Sequence, residues 1–181
     1  ILTFVGRNAK LKGLPVLLDA LKRLEGRPWR CVVAGPPDAE RWARRIGRSF
    51  ARPERFHVAA ELDPLELAAG SDLLVLPSRR ETCGLVVLEA LASGTPVLIG
   101  AEVGAREVLV TSEQGEVLPG RLSASVLAEH VASWLERLTA GDPDREGIAA
   151  AVAGRGHGPW MEALEQELLA VARPLHVGLG A

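Results

Sequence analysis

The sequence predicts an α/β fold, a Rossmann-like parallel sheet of about six strands with helices on both faces. Short runs of Val, Leu and Ile are apolar at successive positions, as strands covered on both sides require, rather than alternating apolar and polar. Between them lie amphipathic stretches with apolar residues three and four apart, the period of a helix with one buried stripe. Gly, Pro and charged residues gather where the apolar runs end, the edge at which open parallel sheets bind ligands.

Residues 1–5 read as the first strand, followed by a helix over 14–24 with Leu14, Leu17, Leu18, Leu21 and Leu24 on one face. The second strand, 31–34, stops at Gly35-Pro36-Pro37. Asp38 is placed to cap a helix running to Phe50. Residues 57–59 form a weak third strand, and Asp63-Pro64 opens a short helix to Ala69. Residues 73–76 are a fully apolar fourth strand, 85–92 a helix stopped by Gly94, 96–99 a fifth strand and 116–118 a sixth. The remainder is helical in pattern, over 125–138, 144–152 and 159–172.

The chain of 181 residues is 48% hydrophobic and 24% charged, enough for one core and too apolar for a disordered segment. A single domain is expected over 1–175, with a loose tail at 176–181. The net charge of −2 gives no electrostatic case for nucleic acid. No apolar run is long enough to span a bilayer. Two cysteines, Cys31 and Cys83, make no disulfide framework, so a reducing cytoplasm is the expected location. The histidines His57, His130, His157 and His176 lack ligand spacing, and no metal is expected. The lone methionine is Met161 and the pattern opens in mid-strand, so the chain is expected to be a piece of a longer protein.

Two loops concentrate the chemistry. The first, Gly6-Arg7-Asn8-Ala9-Lys10-Leu11-Lys12-Gly13, leaves a strand, enters a helix and carries three cations. It suits an anion, though a solvated basic turn accounts for it as well, and it is not a P-loop. The second follows the fourth strand and reads Pro77-Ser78-Arg79-Arg80-Glu81-Thr82-Cys83-Gly84. Glu81 stands in the loop and Glu89 eight positions on, within the next helix. Two carboxylates beside an anion-binding helix end fit a ligand with vicinal hydroxyls and phosphates, such as a nucleotide sugar. Spacing alone favours reading them as a loop charge and a partly exposed helix charge.

The stretch 71–97, with Glu81-Thr82-Cys83-Gly84-Leu85, Glu89-Ala90 and Ser93-Gly94-Thr95-Pro96-Val97, closely resembles the signature of retaining GT-B glycosyltransferases of family 4. Its hallmark is Glu-x7-Glu followed by a small residue, Gly and Thr-Pro-Val. Phe4-Val5-Gly6-Arg7 with Lys12-Gly13 resembles the first strand and loop of that family's C-terminal domain, and Val103-Gly104, Glu107-Val108, Gln114-Gly115 and Trp160 fall at similar places. The resemblance implies the C-terminal, donor-binding half of a GT-B fold, with the N-terminal acceptor domain outside this chain. It implies that Arg7 and Lys12 hold the donor diphosphate in place of a metal, so that no cofactor is needed and the donor is an NDP-sugar, UDP-sugar foremost. Glu81 is implied to bind the sugar hydroxyls and, with Arg7 and Lys12, to serve catalysis. The backbone at Gly84 and Leu85, beside Cys83, is implied to meet phosphate or sugar. Glu89 is implied to take the ribose hydroxyls, and the base to lie near Val58 and Pro77. The implied acceptor is a glycan or a lipid-linked molecule, in bacterial surface polysaccharide, lipopolysaccharide or glycolipid synthesis. Cys83 is a departure, since the family often has Phe there, and it leaves the sugar open.

Asp142-Pro143-Asp144 mimics a metal-binding Asp-x-Asp but reads as a helix start. Gly154-Arg155-Gly156-His157-Gly158 joins two helices and does not follow a strand, as a dinucleotide fingerprint must. Arg41, Arg44, Arg45, Arg48 and Arg52 repeat at helical spacing opposite Trp42, Ala43, Ile46 and Phe50. That stripe is either a solvated face or a peripheral contact with the inner face of an anionic membrane. A glycogen-synthase-like or other GT-B enzyme, and a non-catalytic domain derived from the fold, remain alternatives.

Overall fold

The computed structural model describes residues 1–120, 122–141 and 143–153. The expected helix over 159–172, the segment 154–158, Trp160, Asp142 and the tail 176–181 lie outside these residues. Among the described residues six strands, β1 (Leu2–Val5), β2 (Cys31–Ala34), β3 (Phe56–Ala59), β4 (Leu73–Leu76), β5 (Val97–Gly100) and β6 (Gly115–Leu118), pair in the order β3-β2-β1-β4-β5-β6. All neighbours run parallel. Among the described residues six helices, α1 (Leu14–Arg23), α2 (Ala39–Ser49), α3 (Pro64–Ala69), α4 (Leu85–Ala92), α5 (Ala124–Thr139) and α6 (Arg145–Val152), surround the sheet.

The predicted sheet with its alternating helices is the one observed, and its boundaries shift for local reasons. β3 begins at Phe56, because a 3-10 turn over Pro53–Arg55 delivers the chain to it. It reads weakly because it is an edge strand, with His57 exposed. A second 3-10 turn, Gly104–Val108, follows β5 where no element was expected. Asp38 sits at the start of α2, but its carboxylate makes no capping hydrogen bond. It lies 4.0 Å from Arg41 instead, and its backbone carbonyl accepts from Arg41 and Trp42. Side-chain caps form elsewhere: Asp63 accepts from the Glu66 amide at 3.0 Å, Ser123 from Val126 at 3.2 Å and Asp144 from Glu146 at 3.1 Å. Each cap satisfies an amide that the first helical turn leaves without an internal partner.

β4 and β5 are buried at every position, which is why they read as continuous apolar runs. Leu14, Leu17, Leu18 and Leu21 bury one face of α1, which packs on α5; α4 packs on α3 and α6. Trp42 and Ile46 hold α2 down while Arg41, Arg44, Arg45 and Arg48 face solvent. Ala43 is exposed rather than buried, and Arg52 lies past the end of the helix, so the helical stripe has four arginines, not five.

A buried polar hub fixes the amino ends of β1, β4 and β5. The Thr95 hydroxyl reaches the carbonyls of Ala68 at 2.7 Å and Ser71 at 3.2 Å, and accepts from Arg145 Nη2 at 3.0 Å. Arg145 Nη1 also donates to the Ser71 carbonyl at 3.0 Å, and the Thr3 and Ser71 hydroxyls pair directly. Thr95→Val keeps the shape but strips these partners. Its stability should fall by about 1–3 kcal/mol, the cost of leaving buried polar groups unsatisfied. Urea unfolding measures this, and an unchanged midpoint would show that the hub adds nothing.

Candidate functional site

The strand order reverses between β1 and β4, so the loops leaving these neighbouring strands part to opposite faces and open a crevice at the carboxyl edge. The loop after β1 is held by its own backbone. Asn8 Oδ1 accepts from the Leu11 amide at 3.2 Å, Lys12 N donates to the Asn8 carbonyl at 2.9 Å, and Leu14 N donates to the Ala9 carbonyl at 2.8 Å. This is an Asx-type turn that feeds the first turn of α1. Gly13 ends it at φ +90°, and a Cβ there would collide with the Pro77 carbonyl. Glycine is therefore required both by the left-handed backbone and by the close approach.

The loop after β4 rests on this turn. The Arg79 amide donates to the Leu11 carbonyl at 3.3 Å, and the buried Ser78 hydroxyl reaches the carbonyls of Arg80 at 3.0 Å and Leu11 at 3.4 Å. On its other side the loop is stitched to the segment after β5. Glu81 N donates to Glu102 O at 3.1 Å, and Gly104 N donates to Glu81 O at 2.9 Å, so Glu81 and Val103 form one rung of parallel bridge. Side chains at Gly100 and Gly104 would strike the Ser78 and Thr82 carbonyls. Gly84 takes φ +80° at the start of α4, where a Cβ would lie 3.0 Å from Val103.

This scaffold brings two of the candidate residues into contact. The Lys12 ammonium pairs with the Glu81 carboxylate across the crevice, and only 22% and 14% of the two side chains is exposed. The Lys12 stem passes over Gly6, where a Cβ would sit 2.8 Å from Lys12 Cγ. Burial pulls the Lys12 ammonium below the ordinary lysine value, while the carboxylate beside it favours the charged form. Glu89 is half-buried on α4, and Leu85, four residues earlier and 51% exposed, shares its face. The amides of Leu85 and Val86 lie in the first turn of α4, where a helix offers no internal acceptor. Cys83 is exposed beside them, whereas Cys31 is buried and its thiol is pushed up to about 12.

Arg7 is exposed and has no ion-pair partner among the described residues. It lines a cleft of about 480 Å³ with Gly35, Pro37, Glu61, Leu62 and Leu67, at the carboxyl ends of β1, β2 and β3. The half-buried Val58 lies in β3, just ahead of that cleft. Arg7 and Lys12 therefore leave the same loop in different directions, Arg7 toward β2 and β3 and Lys12 toward Glu81. A further cleft of about 510 Å³ lies beyond the second loop, between Ser78, Arg79, Glu102, Pro119 and Ser123. Of the candidate residues only Pro77, implied to lie near the base, lines it. What sequence reasoning missed is the 100–104 segment as the wall that positions Glu81; its two glycines were the available signal. No group of side chains suited to a metal ion occurs among the described residues.

Residues 1–146 match the family described as Glycosyl transferases group 1. The chain is 32% identical over 179 residues to a D-inositol 3-phosphate glycosyltransferase of Corynebacterium diphtheriae, covering 92% of this chain and 40% of the relative. It is 29% identical over 181 residues to glycogen synthase 2 of Bradyrhizobium diazoefficiens, covering 93% and 38%. The chain thus spans about two fifths of the length of these relatives. Its fold matches the crystal structure of Anabaena HepE in complex with UDP-glucose, with a TM-score of 0.75, 20% identity, and coverage of 94% of this chain and 48% of that one.

Gly13→Ala combines a left-handed backbone with a collision and should destabilise the domain by about 1–3 kcal/mol. Gly47→Ala, in the exposed interior of α2 with open space around it, should stabilise by up to about 1 kcal/mol. Parallel thermal melts of both variants test the contact between the two loops. Equal shifts would remove it as a constraint.

Proposed function

The chain belongs to the group 1 glycosyltransferases, and from that premise we propose that it forms the donor-binding half of a retaining GT-B enzyme that transfers a sugar from an NDP-sugar. The observation that carries this reading is the Lys12–Glu81 pair, held beside the start of α4 at the point where the strand order reverses. A cation and an anion side by side in one crevice fit a ligand that offers phosphate to one and hydroxyls to the other.

In this reading Arg7 and Lys12 bind the diphosphate and offset the charge that builds on the departing nucleotide, without a metal. Glu81 accepts hydrogen bonds from the sugar hydroxyls and sets the position of the anomeric carbon. The Gly84 and Leu85 amides meet phosphate or sugar, with Cys83 at the sugar's edge. Glu89 takes both ribose hydroxyls and Val58 flanks the base. The transition state has oxocarbenium character, so positioning and leaving-group stabilisation supply the rate. HepE holds UDP-glucose on a fold of the same shape, which supports a UDP-sugar donor. In this reading the acceptor binds mainly to a second domain of the full-length enzyme.

The proposed acceptor is a glycan or lipid-linked molecule of bacterial surface polysaccharide, lipopolysaccharide or glycolipid synthesis. The similarity to glycogen synthase 2 favours a second reading, in which the acceptor is a growing glucan. A product assay on the full-length enzyme separates the two. No helix among the described residues is long and apolar enough to cross a membrane. Peripheral contact would run through the exposed arginines of α2, and partition onto anionic vesicles tests it.

Calorimetric titration with UDP, GDP and ADP, without added metal, should show saturable binding of one nucleotide. Glu89→Ala or Arg7→Ala should weaken it about ten- to a hundredfold, the equivalent of about 1.5–3 kcal/mol per charge-assisted hydrogen bond. Failure of a folded chain to bind any of the three would count against the donor site. The affinity should also fall as pH rises, because Lys12 binds phosphate only when protonated and its lowered pKa brings the loss of charge to a lower pH than for ordinary lysine. Lys12→Arg, charged throughout, should flatten that alkaline limb. An alkaline limb that persists in Lys12→Arg would assign the dependence to another group.

A further inference from the structure

Resting on the donor-site reading above, we infer that the Lys12–Glu81 ion pair makes the site discriminate against bare diphosphate and in favour of the sugar-bearing nucleotide. The free chain does not present Lys12 as an open phosphate ligand; its ammonium is already engaged by Glu81. The backbone that carries each partner is held in place. Glu81 has its amide and carbonyl committed to Glu102 and Gly104. Lys12 has its stem laid across Gly6 and its amide bonded to Asn8.

A diphosphate that approaches Lys12 therefore meets the Glu81 carboxylate as well. The ammonium has three donors and can hold carboxylate and phosphate together. The two anions are nonetheless forced close in a mostly desolvated crevice, where like charges repel far more than in water. A bare diphosphate has nothing to offer Glu81 in return, so the repulsion stands uncompensated. A sugar attached to that diphosphate donates hydroxyl hydrogen bonds to the same carboxylate, and the unfavourable contact becomes a favourable one. One side chain thus supplies both the attraction for the right ligand and the repulsion of the wrong one. The same asymmetry favours departure of the nucleoside diphosphate once its sugar has been transferred, since Glu81 is then left facing phosphate alone.

The test uses the whole chain, with inorganic pyrophosphate, UDP and UDP-glucose titrated into the wild type and Glu81→Gln. The glutamine keeps the size and removes the charge. It should bind pyrophosphate and UDP about five- to tenfold more tightly than the wild type. Its affinity for UDP-glucose should stay level or fall, so the preference for the sugar-bearing ligand narrows. Pyrophosphate binding that is unchanged or weaker in Glu81→Gln would overturn the inference. A separate NMR titration of the Lys12 ammonium in the free protein checks the pair without any ligand. It should titrate at lower pH in Glu81→Gln, having lost the partner that favours its charged form, and an unmoved titration would likewise overturn the inference. If the wild type binds neither pyrophosphate nor either nucleotide while Lys12 still responds to Glu81→Gln, the donor-site reading fails, and the discrimination with it, although the pair itself stands. Lys12→Met gives the converse check: it should erase the gain in pyrophosphate binding when added to Glu81→Gln.

Discussion

The approach of the loop after β1 to the loop after β4 is the constraint on which the rest of the site depends. β1 and β4 are neighbours in the sheet but lie far apart in the chain, and their loops depart to opposite faces. Without a direct contact between them, the crevice would be a gap with mobile walls. The contact is made mainly by backbone, with Gly13 against the Pro77 carbonyl and the Arg79 amide on the Leu11 carbonyl, and one side chain adds to it, the Ser78 hydroxyl reaching across to Leu11. Main-chain contacts of this kind admit no side chain, so glycine is dictated at position 13 by space as well as by dihedral angle.

A second seam continues the first. The segment after β5 lies along the β4 loop, with Gly100 against Ser78 and Gly104 against Thr82, and it pairs with Glu81 through both of that residue's backbone groups. The carboxylate of Glu81 is therefore aimed from a strand-like rung rather than from a free loop. Rigid aim matters when a group must distinguish a hydroxyl donor from a phosphate, since a mobile carboxylate would turn away from the anion and lose its selectivity. The polar hub of Thr95, Ser71 and Arg145 performs the complementary task at the other edge of the sheet, where it ties β4 and β5 to α3 and α6.

Charge is distributed with the same economy. Arg7 and Lys12 leave one loop in two directions, one toward the open cleft by β2 and β3 and one into contact with Glu81. A ligand that engages both must span the crevice, and an extended nucleotide sugar has the required sequence of base, ribose, phosphates and sugar. Of the arginines of α2, Arg41 shares a cleft with Arg7, on a helix whose Trp42 and Ile46 are the residues that bind it to the core.

Much of this was legible in the sequence. The unbroken apolar runs 73–76 and 97–99 determined buried parallel strands, because only strands covered on both faces tolerate apolar residues at every position. The leucines of α1 determined its buried face, and the resemblance to a family signature in a strand–loop–helix setting singled out Glu81, Gly84 and Glu89 as candidates. Legibility failed where the deciding partner is remote. Asp38 stands where a cap belongs yet faces Arg41, and Arg52 keeps the stripe's spacing after the helix has ended. The service of Gly100 and Gly104 to Glu81 was hidden, because each glycine answers to a carbonyl in another loop. The pairing of Lys12 with Glu81 rather than with Arg7's side of the crevice was likewise a tertiary decision. Periodicity and local spacing record contacts within an element. Which loop meets which is decided by strand order, and strand order is a property of the whole sheet.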